Sequence, residues 1–203
     1  MSLLLVRHGE TALNRARVLQ PPDTPLSEHG LAQARAVAAH LADLRPAALI
    51  SSDLPRAVQT AQAVARACGL SLETDARLRE RDFGDWRGLP YDGLSADPLT
   101  MAEAPPGGES LPAFTVRCAL AFEALVARRA ALDGPLVVIS HGLVIGMMLR
   151  GRPLPPGAPF PTRLGNTSVN ELDARAPHAV RRLDALLHLQ GDLADDNRSL
   201  SGG

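Results

Sequence analysis

Leu3-Leu4-Leu5-Val6-Arg7-His8-Gly9-Glu10-Thr11 is the stretch on which the reading of this chain turns. An apolar run of strand length stops abruptly at a guanidinium and an imidazole. Strands buried on both faces read as unbroken apolar runs, and ligands of open α/β sheets bind beyond the carboxyl ends of such strands. Arg7 and His8 therefore fall where this architecture places chemistry. Gly9 allows a sharp turn or a close backbone approach. Taken alone, the stretch reads equally well as a strand that ends in two polar residues, so the rest of the chain has to decide.

Working outward, residues 12–26 are polar and Pro-rich and read as a loop. Ser27 is the expected N-cap of a helix to about Leu44, with Leu31, Ala34, Ala38 and Leu41 as its buried stripe. Ala47-Ala48-Leu49-Ile50 is a second short strand, and Ser51-Ser52-Asp53 offers cap candidates for the helix that follows. Pro55 falls in that helix's first turn, where its missing N–H costs nothing, and Gly69 stops it. Ala57, Val58, Ala61, Val64, Ala65 and Cys68 share one face. Residues 71–74 suit a short strand. A third long helix runs from Ser110 to near Leu132, with Leu111, Phe114, Cys118, Phe122 and Leu125 facing inward. Leu136-Val137-Val138-Ile139-Ser140 is the clearest strand, broken at His141-Gly142 before an apolar helix to about Leu149. Edge strands are expected near Ser168–Leu172 and Ala179–Leu183. The alternation of strand and helix predicts a parallel α/β sheet. Residues 1–190 are expected to form one domain, with 191–203 a flexible tail.

Composition narrows the function. The 203 residues contain no Lys, so all 21 of the Lys and Arg are Arg. That excludes a P-loop lysine, a Schiff-base lysine and a lysine general base, and leaves Arg for gripping phosphate or carboxylate. A formal net charge of −1 argues against nucleic acid or a membrane surface as partner. The two cysteines lie on apolar helix faces and read as reduced core residues. No signal segment or apolar run of spanning length is evident, so a cytoplasmic protein is expected.

The first strand ends in Arg7-His8, the second leads within a helical turn to Arg56, and the last clear strand ends in His141. If these strands are parallel neighbours, two arginines and two histidines converge at one sheet edge. Like charges gathered so closely repel unless an anion lies between them, and phosphate is the natural candidate. His8-Gly9-Glu10 also hints at a metal pair, but no further ligands follow at zinc-like spacing. His29, His40, His178 and His188 read as solvent-facing, and Phe83 and Trp86 as core anchors.

Arg7-His8-Gly9-Glu10-Thr11 with Asn14 resembles the signature of the histidine phosphatase superfamily, in its phosphoglycerate-mutase-like branch. Ser51 to Ala61, Leu78 to Gly88, Pro106 to Ser110, Ser140-His141-Gly142 and Gly165 to Val169 are similar to that family's further blocks, in family order. The resemblance implies a three-layer α/β/α sandwich around a mostly parallel sheet and a phosphohistidine mechanism without metal or cofactor. It makes His8 the nucleophile, with one ring nitrogen pinned by a backbone carbonyl such as that of Gly9. Arg7, Arg56 and His141 would hold the phosphoryl oxygens, and Asn14 and the Gly142 N–H would add donors. Gly9, Gln20 and Tyr91 would complete the substrate site, Tyr91 in a segment able to form a lid. Glu80 would be the proton donor, then the base for water. Without the family block Glu80 reads as a partner of Arg77, Arg79 or Arg81, with Asp82 its nearest competitor and Glu10 a helper.

Leu13 stands where the family usually has Trp, and Pro21 where it has Gly, which puts leaving-group specificity in question. The implied activity is hydrolysis of small phosphorylated metabolites by a monomer or homodimer. Two alternatives stay open. One is a cofactor-dependent phosphoglycerate mutase, against which 89–97 lacks basic residues; the other is a non-catalytic binder of phosphorylated ligands.

Overall fold

A computed structural model describes residues 2–94 and 100–193 of the chain. Its strands are β1 (Ser2–Arg7), β2 (Ala48–Ser51), β3 (Leu72–Thr74), β4 (Leu136–Ser140), β5 (Val169–Asp173) and β6 (Val180–Ala185). Helices are α1 (Ala12–Ala16), α2 (Glu28–Asp43), α3 (Pro55–Cys68), α4 (Leu111–Ala130) and α5 (Gly142–Leu149). The six strands form one sheet in the order β3-β2-β4-β1-β5-β6. β1, β2 and β3 run parallel to their neighbours in the β3-β2-β4-β1 half, while β5 is antiparallel to β1 and β6 to β5.

Alternate residues of the central strands feed two cores, as a pleated strand covered on both faces requires. Leu3, Leu5, Leu136 and Val138 pack with Phe114, Phe122 and Leu125 of α4 and Val144 and Ile145 of α5. Leu4, Val6, Val137 and Ile139 pack with Val37 and Leu41 of α2 and Ala61 and Val64 of α3. The result is the expected three-layer sandwich, with α2 and α3 on one face and α4 and α5 on the other. Among the described residues, no helix is long and apolar enough to cross a membrane.

Register brings the strand ends level: Arg7 pairs with Ser140, and Ser51 with Ile139. The chain leaves β1 with His8 N–H donating to the Ser140 carbonyl at 3.0 Å. Gly9 then passes so close to α2 that a Cβ on it would lie 2.5 Å from the Gly30 carbonyl oxygen. Only glycine fits there.

Several expectations are corrected. Residues 12–16 are a helix rather than loop, started by a reciprocal capping box between Thr11 and Asn14. α3 is capped at Leu54 without a side-chain hydrogen bond of its own; Ser52 Oγ instead accepts the Leu54 N–H at 3.3 Å. β5 is an interior strand; β3 and β6 are the edges. Leu31, Val58, Ala65 and Cys68 are half-buried, at the margins of the core. Phe83 is buried as expected, whereas Trp86 is half-buried. Both cysteines are free. Of the expected tail, Gly191–Leu193 form a short 3₁₀ turn, and 194–203 lie outside the described residues, as do 95–99 of the expected lid segment.

Candidate active site

His8 is fully buried just past β1. Its Nδ1 lies 2.7 Å from the Gly9 carbonyl oxygen. A carbonyl only accepts, so Nδ1 carries the proton and Nε2 keeps its lone pair. The His8 carbonyl is held in turn by the Thr167 N–H at 3.2 Å and Asn166 Nδ2 at 3.1 Å. Gly9 N–H donates to Thr60 Oγ1 at 3.1 Å, which ties the loop to α3. The ring is therefore fixed in tautomer and in direction.

Arg56 lies in the first turn of α3, one helical turn before Thr60, and is 1% exposed. Its Nε has no hydrogen-bond partner among the described residues, and Nη1 only reaches the Pro21 carbonyl at 3.5 Å. Arg7 is also fully buried, its Nη1 donating to the Leu164 carbonyl at 2.5 Å. Burial lowers both guanidiniums to about 10, so both stay charged at neutral pH.

The His141 ring faces that of His8, with centroids 5.1 Å apart and planes 60° apart. Its Nε2 is 2.9 Å from Ser52 Oγ, and its buried Nδ1 has no hydrogen-bond partner among the described residues. Burial first, then the charges of Arg56, His8 and Arg7, hold its pKa well below the usual histidine range. It is a neutral imidazole.

Glu80 supplies the carboxyl. Its Oε1 accepts the Arg81 N–H at 2.9 Å and its Oε2 the Leu143 N–H at 3.1 Å. Burial raises its pKa to about 7, against the pull of those two N–H groups and of Arg56. Pairing with neighbouring arginines does not occur. Arg77 bonds Asp75, Arg79 bonds Asp53, and the Arg81 guanidinium donates to the carbonyls of Glu109, Met101 and Glu103. Asp82 is engaged by the Gly84 N–H and by Arg87. Glu10 binds Ser27 Oγ and Arg15, anchoring the loop to α2.

The remaining expected residues gather around these. Asn14 Oδ1 accepts the Thr11 N–H at 3.1 Å, and Gln20 Oε1 accepts from Thr11 Oγ1 at 2.8 Å. Among the described residues the buried Asn14 Nδ2 and Gln20 Nε2 have no hydrogen-bond partner. Gln20, Arg56 and Glu80 line one hollow of about 170 Å³. Tyr91 acts electrostatically on both Arg7 and Arg56. Gly142 opens α5 directly after His141. Among the described residues no three of His, Cys, Asp and Glu cluster as metal ligands.

The four other histidines are not solvent-facing but half-buried. His178 packs edge-on to Phe122, while His188 stacks on His40 at 5.8 Å and lies 3.0 Å from Thr167 Oγ1. Sequence reasoning gave Ser52 only a capping role and overlooked Arg117. Arg117 on α4 donates to the carbonyls of Arg77, Arg79 and Glu80, fixing the segment that presents the carboxyl. A charged residue one place before inward-facing Cys118 was the available signal.

Comparison with known proteins agrees with this arrangement. The model of the histidine phosphatase superfamily (branch 1) matches residues 3–183. A probable phosphoglycerate mutase, GpmB, of Yersinia pestis is 37% identical over 184 residues, covering 85% of each chain. Among solved structures, the mycobacterial glucosyl-3-phosphoglycerate phosphatase in complex with VO3 is similar with a TM-score of 0.72 at 33% identity, over 85% of this chain and 90% of that one. A putative alpha-ribazole-5'-P phosphatase of Escherichia coli gives 0.77 at 26% identity, over 91% and 96%. The fold and its edge of paired imidazoles and guanidiniums define a phosphoryl-handling α/β protein. This chain belongs to the histidine phosphatase superfamily.

Proposed function

We propose that the chain is a phosphomonoester hydrolase of small metabolites that works through a phosphohistidine at His8. Nε2 of His8 attacks phosphorus in line and forms the N–P bond as the ester P–O bond breaks. The Glu80 carboxyl gives its proton to the leaving alkoxide. Arg7, Arg56 and the Nδ1–H of His141 stabilise charge on the equatorial oxygens, with Asn14, Gln20 and the Gly142 N–H as neutral donors. Glu80, now a carboxylate, takes a proton from water as that water's oxygen attacks phosphorus. Orthophosphate leaves, His8 regains its lone pair, and Glu80 is again protonated.

The observation that carries this reading is the carboxyl of Glu80, buried beside Arg56 with a pKa of about 7. A module that only binds phosphate needs the guanidiniums but gains nothing from an adjacent proton carrier. In this reading the positive charge is supplied by arginine, so no metal or cofactor takes part. A single domain spanning 1–190, active in the cytoplasm as a monomer or homodimer, belongs to the same proposal.

A second reading, phosphoglycerate mutase, is favoured by the likeness to the probable phosphoglycerate mutase of Yersinia pestis. Phosphate release from p-nitrophenyl phosphate, measured beside interconversion of 3- and 2-phosphoglycerate, separates the two. Hydrolysis that disappears in His8→Ala supports the hydrolase. Mutase turnover with little hydrolysis supports the alternative, and equal phosphate release by wild type and His8→Ala contradicts both.

A further inference from the structure

A hollow of about 410 Å³ lies on the α4/α5 face of the sheet, with Gly142, the residue after His141, in its wall. Leu143 and Leu164 form part of its wall, and each is one hydrogen bond from the reacting groups. The N–H of Leu143 binds Glu80, and the carbonyl of Leu164 binds Arg7. The rest is largely apolar: Leu111, Phe114, Met147 and Phe160 contribute. Two cations, Arg150 and Arg163, also line it, and no described lining residue is acidic. Arg163 is near enough to Arg7 to act on its ionisation.

Gly146 also borders the hollow, within the eight-residue helix α5. Glycine inside a helix costs stability relative to alanine and is explained where backbone must approach closely or φ must be positive. Neither applies here. A Cβ at Gly146 would meet nothing within 4 Å, and its φ is not among the positive ones. Packing gives no reason for the missing side chain. What it leaves is open volume in the hollow.

We infer that this hollow receives the alcohol portion of the substrate, and that the substrate is a phosphomonoester with a bulky apolar body carrying a second negative charge. The phosphoryl group lies among His8, Arg7 and Arg56, the apolar body against Leu143, Met147 and Phe160, and the far anion near Arg150. This rests on the hydrolase reading for the position of the phosphoryl group, and extends it to the leaving group.

The test uses binding, so that it does not depend on turnover. Phosphonates mimic phosphate esters but have no ester bond to break. Affinities are measured by calorimetry for propylphosphonate, 3-phenylpropylphosphonate and the latter's para-carboxy derivative. Burial of the ring is expected to tighten binding at least about tenfold, and the carboxylate about threefold more, the second gain fading with salt. Gly146→Leu, which fills the hollow, should erase the ring's advantage, with thermal melting as the check on folding. Arg150→Gln should remove only the carboxylate increment. Equal affinity of the wild type for the three phosphonates overturns the proposal, as does a Gly146→Leu protein that melts normally and keeps the ring's advantage. If the ring-bearing phosphonates bind preferentially but 2-phenylethyl phosphate is not hydrolysed, the hollow is supported and the hydrolase reading fails.

Discussion

Ser52 Oγ lies 2.9 Å from Nε2 of His141, and this contact leaves Nδ1 as the imidazole nitrogen with no hydrogen-bond partner among the described residues. Both residues are fully buried, and Ser52 Oγ also accepts the Leu54 N–H at 3.3 Å, which leaves its own proton for the imidazole. With the hydroxyl donating to Nε2, the neutral ring carries its proton on Nδ1. A neutral histidine becomes a directed donor, and its pKa, held low by burial and by the arginines, keeps a further positive charge out of the cluster.

Ser52 is thus a positioning residue. Ser52→Ala should lower kcat/KM for phosphate esters by about fivefold, the worth of one buried hydrogen bond of ~1 kcal/mol, with most of the loss in kcat. Ser52→Thr, which keeps the hydroxyl, should recover most of it. Equal activity of the alanine variant and the wild type would remove Ser52 from the account.

Glu80→Gln separates the two halves of the reaction. Alkyl esters need a proton on the leaving oxygen and should slow by about 10²- to 10⁴-fold. p-Nitrophenolate needs no such help, so it should still leave in the first turnover. Hydrolysis of the phosphohistidine, lacking its base, then becomes limiting. Stopped-flow absorbance is expected to show a burst of nitrophenolate equal to the enzyme concentration. A variant with no burst and an undiminished steady rate would deny Glu80 its role.

The same carboxyl links activity and stability to pH. Glu80 must be protonated to donate, so kcat/KM for alkyl esters should decline as pH rises through about 7. Its folded pKa lies above the ordinary glutamate value of 4.5, so the folded state holds the proton more tightly than the unfolded chain. The associated stability is complete below 4.5 and is lost as pH rises to about 7. In Glu80→Gln that loss is absent, and the variant should gain on the wild type by up to about 3 kcal/mol between pH 4.5 and pH 8. His188 works in the opposite sense. Its pKa, lowered to about 4 by burial and by His40, makes the fold less stable as pH falls from 6.5 toward 4. Urea unfolding of wild type and Glu80→Gln at several pH values cancels the His188 contribution and isolates that of Glu80.

Arg56 stands for the conflict between binding and stability. Its buried charge is opposed by desolvation and by Arg7. Arg56→Met should therefore melt higher than the wild type without phosphate, by an amount equivalent to about 1–4 kcal/mol, and should lose the stabilisation that added phosphate gives the wild type. A lower melting temperature with the phosphate effect intact would show that Arg56 is structural.

The strands and long helices were legible because their apolar periodicity is strong and their caps are orthodox: Ser27 and Ser110 cap α2 and α4 where expected. The convergence of Arg7, His8, Arg56 and His141 followed from where three parallel strands end. Other features left no periodic trace. α1 has five residues, too few for a stripe, and only the Thr11–Asn14 spacing marks it. The contact of Ser52 with His141 and that of the Leu143 N–H with Glu80 join residues 89 and 63 positions apart, and in the second the donor is a backbone N–H. The stack of His188 on His40 is likewise tertiary. Sequence supplied the charged groups of the site; the groups that orient them emerged only from packing.

Rapid-quench trapping of the enzyme with ³²P-labelled substrate tests the central claim most directly. Label should appear on the protein within one turnover, be released by acid and stable to alkali as a phosphohistidine is, map to His8, and accumulate in Glu80→Gln. Phosphate release at full rate with no labelled protein, or with the label on any other residue, would contradict it.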